Sequence, residues 1–167
     1  EGFNEIQLPI IQNQEIFKHK VGEENNNLMF NFTDRGNRLL CLAPEYTAVI
    51  QELSKTVFKN EKDVKLFYIA ECFRGEKPQA GRYRELTQFG YELIGSDDPL
   101  SDAEVISLAV NIYKILGLKG IIVNINSLGD KESRDNYREA LINHFKPHIS
   151  ELCSDCKERL EKNPLRI

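Results

Sequence analysis

The sequence has no long hydrophobic run and only a few cysteines. No apolar stretch in the 167 residues approaches the roughly 20 residues that a membrane-spanning helix needs. No segment resembles a secretory signal. Four cysteines in a chain of this length favour reduced thiols over a disulfide scaffold. These absences together predict a cytoplasmic protein.

Several motifs that would indicate a particular chemistry are also missing. The sequence contains neither a P-loop nor a G-x-G-x-x-G motif. Cys153 and Cys156 form one C-x-x-C pair, but the second pair of a complete zinc set is absent. We therefore predict no metal site. The net charge of −4 argues against a general nucleic-acid-coating surface, although a local basic patch could still contact RNA.

Paired runs of apolar residues predict hairpins. Val64–Phe73 and Arg82–Ile94 are predicted strands, and the connecting loop is too short for a parallel crossover. Leu28–Thr33 and Arg38–Ala43 flank a turn-forming Asp-Arg-Gly-Asn segment. Ile121–Ile125 is predicted to be a further, buried strand. The prediction is an antiparallel sheet.

Helix signals lie between these strands. Val49, Leu53 and Val57 follow Pro44 at four-residue spacing, which predicts an amphipathic helix packed on a sheet. Ser101 to Glu104 reads as a capping box. The later helix is predicted to begin at a cap formed by Asp130. The fold class is therefore α+β, a mainly antiparallel sheet flanked by helices.

The second strand of the long hairpin has an unusually polar face. Alternate side chains of a strand share a face. One face is therefore predicted to carry Arg82, Arg84, Gln88 and Glu92, and the other Tyr83, Phe89, Tyr91 and Leu93. With Arg74 at the end of the preceding strand, the arginines could hold a polyphosphate through their planar donor forks. The alternative is a set of solvated charges on a surface hairpin.

Two residues near the first predicted helix are also candidates. Glu45 and Thr47 follow the Arg38–Ala43 strand. A carboxylate beside a helix N-terminus is favoured by the helix dipole, so helix capping alone would explain Glu45.

Longer motifs resemble one family. FRGEKPQAGRYRE followed by TQFGYELIG is similar to motif 2 of the class II aminoacyl-tRNA synthetases in their histidyl form. The resemblance extends to EIQLPIIQNQEIFKHKVGE, LAPEYTA, INSLGDKESRDNYREAL and CKERLEKNPLRI, which is essentially the whole chain. It implies a partial catalytic core over residues 1–147 and the start of an insertion over 148–167.

The resemblance implies a role for each candidate residue. Arg74 would contact the α-phosphate of ATP and the histidine carboxylate, which makes it the catalytic residue. Glu76 would meet the adenine, and Arg82 would bind the outer phosphates. Glu45, Thr47 and Gln88 would surround the histidine α-amine, and Glu92 would accept a hydrogen bond from the imidazole. ATP, with Mg²⁺, would be a substrate beside histidine and tRNA(His), and the full-length protein would form a homodimer.

The sequence departs from the family pattern at several positions. Ala43 stands where an arginine is usual, and Tyr46 where a glycine is frequent. Leu86 replaces a phenylalanine that would stack on adenine, a loss of about 1 kcal/mol, and Thr87 replaces a histidine. The loop Glu23–Asn27 looks shorter than usual.

No segment resembles motif 3, the second histidine-specific segment or an anticodon-binding domain, and most of motif 1 is missing. We therefore expect a piece of a longer protein that binds its ligands weakly and does not turn over alone. The alternative is a non-catalytic, synthetase-like regulatory subunit of ATP phosphoribosyltransferase. The phosphate-binding residues favour the enzyme, whereas Ala43 and Leu86 slightly favour the regulatory protein.

Overall fold

The computed structural model describes residues 2–17, 28–127 and 129–167, so the Glu23–Asn27 loop lies outside the described residues. The chain forms two compact units, Glu1–Leu118 and Lys119–Ile167. These units are defined by how closely their residues pack. The division into 1–147 and 148–167, which the family resemblance implies, stays a prediction.

A long antiparallel hairpin is the centre of the first unit. Its strands are β5 (Val64–Phe73) and β6 (Glu85–Ile94), paired from Val64 opposite Ile94 to Phe73 opposite Glu85. A short strand, β1 (Asn4–Glu5), pairs in parallel with β5. The predicted hairpin is confirmed, but β6 begins at Glu85 rather than at Arg82.

The later start of β6 has a local cause. Gln79 and Arg82 hydrogen-bond each other's backbone and close a small turn around Gly81, whose φ is +77°. A positive φ is tolerated by glycine because it has no Cβ. The backbone N–H of Arg74 then donates to the carbonyl of Arg84 at 2.8 Å, and the regular ladder follows.

A second, smaller sheet has the strand order β2-β4-β3. These strands are β2 (Ile11–Asn13), β3 (Asn31–Thr33) and β4 (Leu39–Leu42), and both pairings are antiparallel. Asp34 closes the β3–β4 turn by accepting backbone hydrogen bonds from Gly36 and Arg38 at 2.8 and 2.9 Å. The second predicted hairpin is therefore also confirmed.

Two helices flank the long hairpin. The first, α1 (Thr47–Thr56), buries Ala48, Val49 and Ile50 in the core. Of the predicted apolar stripe, Val49 is buried and Leu53 is half-buried, but Val57, just past the end of the helix, is 64% exposed. The second, α2 (Pro99–Ile115), lies on the opposite face of the hairpin, where the Tyr91 hydroxyl donates to the Val105 carbonyl at 3.1 Å.

The start of α2 differs from the prediction. Asp98 is the N-cap and accepts a hydrogen bond from the Leu100 backbone N–H at 2.9 Å, with Pro99 in the first turn. Ser101 instead bonds Ser96, and Glu104 forms an ion pair with Lys65 at 2.6 Å. The capping box at Ser101 is wrong because an aspartate followed by proline supplies a cap three residues earlier.

The second unit is helical. It contains α3 (Lys131–Phe145), a 3₁₀ turn (Lys146–Glu151), α4 (Ser154–Lys162) and a final 3₁₀ turn (Pro164–Arg166). Asp130 caps α3 as predicted, accepting from the Ser133 N–H at 2.7 Å.

The predicted buried strand Ile121–Ile125 is not formed in the described structure. These residues pair with no strand among the described residues, and Ile122 and Ile125 are 81% and 79% exposed. Branched apolar residues favour a strand only where a neighbouring strand takes up their backbone hydrogen bonds. No helix within the described ranges is both long and apolar enough to cross a bilayer.

Candidate functional site

The register of the long hairpin puts two of the four predicted polar residues, Gln88 and Glu92, on one face, whereas Arg82 and Arg84 lie before β6 begins. Gln88 lies opposite Ala70, and Glu92 opposite Leu66. Phe89 and Tyr91 alternate with them and contact each other on the other face, with ring centroids 5.9 Å apart. The prediction that Gln88 and Glu92 share a face is confirmed.

Arg74 is fixed at one end of this face. Its Nε donates to the carbonyl of Pro44 at 2.9 Å, and its Nη2 donates to Gln88 Oε1 at 3.1 Å. Pro44 precedes α1, so the guanidinium links the start of that helix to β6. An arginine held from both sides presents its fork in a defined orientation, which suits binding of an oxyanion.

Glu92 occupies the other end of the same face. The Thr47 hydroxyl donates to Glu92 Oε1 at 2.6 Å. Burial is the main reason that the pKa of Glu92 is raised, and the charge of Glu45 adds to the shift, whereas the Thr47 hydrogen bond opposes it. A partly desolvated carboxylate of this kind favours a ligand that brings an N–H donor or a positive charge.

In the chain, Glu45 lies between Pro44, which Arg74 contacts, and Thr47, which contacts Glu92, and it interacts with the backbone. Its Oε1 accepts a hydrogen bond from the Ala48 N–H at 3.0 Å, within the first turn of α1. Glu45 therefore has the helix-capping role that its position in the sequence suggests. The carboxylate is only partly buried, so a ligand could still approach it.

Arg74 also belongs to a cleft at the loop end of the hairpin, where β5 and β6 are connected. The cleft has a volume of about 280 Å³ and is lined by Arg74, Glu76, Gly81, Arg82, Tyr83 and Leu86. Arg82 Nη1 lies 3.7 Å from Glu76 Oε2, and both side chains are partly solvent-exposed. The structure thus brings the three predicted ATP-binding residues together around one space.

Two residues named in the sequence analysis, Arg84 and Thr87, do not line this cleft. Arg84 does not line the cleft, since its Nε donates to the Glu76 carbonyl at 3.3 Å. Thr87 faces away from the site and donates to Glu71 Oε1 at 2.9 Å. Leu86, by contrast, lines the cleft where the resemblance would place an aromatic ring.

Sequence reasoning missed Tyr68 and the role of Tyr46. Both are fully buried beneath the polar face, with ring centroids 5.5 Å apart. Gln88 Nε2 donates to the Tyr68 hydroxyl at 3.0 Å. Within an apolar strand a tyrosine looks like a core residue. One signal was available in the sequence. Tyr68 and Arg74 are an even number of positions apart, so their side chains lie on the same face of the hairpin as Gln88.

No group of three metal-ligating side chains is found among the described residues. Cys153 and Cys156 are free thiols at the start of α4, and His148 contacts Glu151 at 3.1 Å. Cys41 and Cys72 are buried, and burial raises the pKa of each thiol to about 11.

Solved structures with the same fold are aminoacyl-tRNA synthetases or close relatives. Pyrrolysyl-tRNA synthetase from Desulfitobacterium hafniense matches 75% of this chain and 45% of its own, with a TM-score of 0.62 at 20% identity. A Bacillus halodurans protein titled as an ATP phosphoribosyltransferase regulatory subunit/histidyl-tRNA synthetase gives 0.67 at 24% identity, over 95% of this chain and 46% of its own. The fold is that of a class II aminoacyl-tRNA synthetase catalytic core.

Proteins with higher sequence identity to this chain identify its family within this class. A family model described as histidyl-tRNA synthetase matches residues 1–129. Histidine–tRNA ligase of Bacillus cytotoxicus is 52% identical over 99% of this chain and 41% of its own length. The apo histidyl-tRNA synthetase of S. aureus superposes with a TM-score of 0.75 at 38% identity, covering 99% of this chain and 39% of its own. The chain belongs to the histidyl-tRNA synthetase family.

The chain spans only part of these relatives. It corresponds to 41% of the Bacillus cytotoxicus ligase and to 40% of the 50% identical ligase of Lysinibacillus sphaericus.

Proposed function

We propose that this chain is a catalytic-core segment of a histidine–tRNA ligase. Such an enzyme joins histidine to ATP, forming histidyl-adenylate and pyrophosphate, and then transfers histidine to tRNA(His). Family membership and the names of relatives about 50% identical support this proposal. The observation that carries it is the single polar face that runs from Arg74 through Gln88 to Glu92.

The arginine end of this face suits the triphosphate. Arg74 and Arg82 line the cleft and would bind phosphate oxygens, with Arg74 at the α-phosphate and Arg82 at the outer phosphates. Glu76 would accept a hydrogen bond from the adenine amino group. Leu86 offers apolar contact without an aromatic face, so we expect adenine stacking to be weaker by about 1 kcal/mol.

The other end suits histidine. Glu92 would accept a hydrogen bond from an imidazole N–H, which compensates the cost of keeping a carboxylate in a partly desolvated place. Glu45, Thr47 and Gln88 would offer oxygen atoms to the α-ammonium group. Arg74 lies within hydrogen-bond distance of Gln88 and would hold the histidine carboxylate beside the α-phosphate.

The chemistry then needs no protein nucleophile. A histidine carboxylate oxygen attacks the α-phosphorus, the bond from that phosphorus to the bridging oxygen breaks, and pyrophosphate leaves with the electron pair. Arg74 stabilises the negative charge that develops on the α-phosphoryl oxygens. Binding both substrates on one wall supplies the alignment for in-line displacement.

Mg²⁺ would enter as the metal complex of ATP and thus as part of the substrate. We also propose the cytoplasm as the compartment and a homodimer as the state of the full-length protein, as expected for the family.

Calorimetric titration of the chain with histidine and with ATP tests the two ends separately. Glu92→Gln should weaken histidine binding about tenfold or more, since a hydrogen bond to a charged group contributes about 1.5–3 kcal/mol. Arg74→Ala should weaken both ligands. Glu71→Gln is the matched control, because it neutralises a carboxylate on the opposite face of the same hairpin. Unchanged histidine affinity in Glu92→Gln would contradict the proposed pocket.

Turnover must be measured on the longer ligase that we propose contains this segment. Histidine-dependent exchange of pyrophosphate into ATP is expected there, and little or none from residues 1–167 alone. Histidine binding without any exchange in the longer protein would support the regulatory subunit instead.

A further inference from the structure

Tyr68 is a buried residue on the same face of the hairpin as Gln88 and Glu92. Its side chain is 1% exposed, and its hydroxyl accepts a hydrogen bond from Gln88 Nε2 at 3.0 Å. Burial raises the pKa of Tyr68, and interactions with Gln88 and Thr47 oppose that shift. Gln88 also accepts from Arg74, and Thr47 donates to Glu92. Tyr68 therefore contacts the Arg74–Gln88 pair directly and interacts with the Thr47 side chain of the Thr47–Glu92 pair.

The hydrogen bonds around Gln88 define which way its amide points. The amide nitrogen donates to the Tyr68 hydroxyl at 3.0 Å. The single hydroxyl proton of Thr47 goes to Glu92, so Thr47 can only accept from any other group. Gln88 Oε1 is then left for donors, and both Arg74 Nη2 at 3.1 Å and the Cys72 thiol at 3.8 Å donate to it.

The charge of Arg74 reinforces this orientation. Arg74 is a cation and can only donate, and its Nη2 donates to Gln88 Oε1. Reversing the Gln88 amide would set its NH₂ group against the guanidinium and its oxygen against the Tyr68 hydroxyl oxygen. Arg74 and Tyr68 therefore fix the orientation of the Gln88 amide from its two ends.

Packing keeps the Tyr68 ring in place. Tyr68 lies directly across the hairpin from Gly90. A Cβ atom at Gly90 would lie 2.6 Å from Tyr68 Cε1 and would also collide with Cζ and the hydroxyl oxygen, so only glycine leaves room for the ring. The fully buried Tyr46 ring packs against the Tyr68 ring, with ring centroids 5.5 Å apart.

We propose that Tyr68 is a positioning residue for amino-acid binding, an inference that rests on the proposed function. Its hydroxyl accepts from the Gln88 amide nitrogen and, together with Arg74, holds the amide with its oxygen toward the α-ammonium group. Without the hydroxyl, the amide nitrogen loses its acceptor and the amide is held through its oxygen alone, so its position is less well defined. The ATP end depends less on Tyr68, because Arg74 is also held by the Pro44 carbonyl.

Tyr68→Phe removes only the hydroxyl and tests this role. Tyr91→Phe is the matched control, since it removes a hydroxyl from the opposite face of the same hairpin. The first measurement is the ¹⁵N NMR spectrum of the Gln88 side-chain amide without ligand. The hydrogen-bonded proton should be shifted and slow to exchange in the parent chain and in Tyr91→Phe, and both features should be lost in Tyr68→Phe.

The second measurement is calorimetric affinity for histidine and for ATP. Tyr68→Phe should weaken histidine binding about fivefold to tenfold, the effect of one hydrogen bond, and change ATP binding less than about twofold. An unchanged Gln88 spectrum, or equal losses for both ligands, would overturn the positioning role. A parent chain and longer ligase that fail to bind histidine would refute the proposed function, whereas the ligand-free spectrum would still decide whether Tyr68 orients Gln88.

Discussion

Gly90→Ala should destabilise the first unit by about 2 kcal/mol, although alanine is the smallest change available. The new Cβ would lie 2.6 Å from Tyr68 Cε1, where carbon atoms normally rest about 3.5–4.0 Å apart. The ring would have to move by about 1 Å, and its burial against Tyr46 prevents this. Overpacking of this kind costs about 1–3 kcal/mol.

Two smaller effects work in opposite directions. Replacing glycine by alanine reduces the entropy of the unfolded chain and stabilises the folded state by about 0.4–1 kcal/mol. A displaced Tyr68 would strain its hydrogen bond with Gln88, which contributes about 0.5–1.5 kcal/mol. These contributions nearly cancel, so the collision with the ring decides the result.

Urea unfolding followed by amide hydrogen exchange in β5 and β6 would measure this loss in the hairpin itself. Gly36→Ala is the control, because its Cβ would meet a side-chain oxygen of Asp34 at 3.3 Å rather than a buried ring. In a Tyr68→Leu background the cost of Gly90→Ala should shrink by about 1 kcal/mol or more. An equal cost in both backgrounds, or a Gly90→Ala chain as stable as the parent, would refute the reasoning.

Three further outcomes are expected. Burial raises the pKa of Glu92 above its ordinary 4.5, so protonated Glu92 favours the folded state below that pH, and this stabilisation is lost as pH rises through the raised pKa. Glu92→Gln removes the buried charge and should therefore raise the midpoint of urea unfolding at pH 7. This increase should disappear in acid, where Glu92 is protonated. Asp130→Ala should cost about 0.5–2 kcal/mol, measured by the thermal unfolding of α3, through the lost hydrogen bond to Ser133. Cys153, exposed and with a pKa lowered by the Cys156 backbone N–H, should be alkylated by iodoacetamide well before buried Cys72, as mass spectrometry of timed samples would show.

The strand pattern predicted much of the site. The run Val64–Phe73 was long, apolar and bounded by turn signals, and the structure forms a strand over those residues. Because side chains alternate along a strand, the common face of Gln88 and Glu92 followed from their spacing. The ligand roles of these residues came from the resemblance to a family and not from periodicity.

Two other predictions were wrong, one because a different residue caps the helix and one because no strand among the described residues pairs with the segment. Ser101 resembles a cap, but Asp98 followed by Pro99 caps the helix earlier. Ile121–Ile125 has strand propensity, yet no strand lies beside it among the described residues. The sequence analysis missed Tyr68 because its apolar neighbours suggest a core residue, and only its spacing from Arg74 indicates that its hydroxyl lies on the polar face.

The sequence by itself determined the strand alternation, the hairpin connections and the chemical types gathered on one face, since these depend on neighbours along the chain. Tertiary structure alone decided which of these groups touch. Arg74 contacts Gln88, Gln88 contacts Tyr68, and Thr47 contacts Glu92 only because α1 and two strands meet at one place. The physical reason is that hydrogen bonds need atoms within about 3 Å, and residues 45 positions apart reach that distance only through the packing of the whole unit.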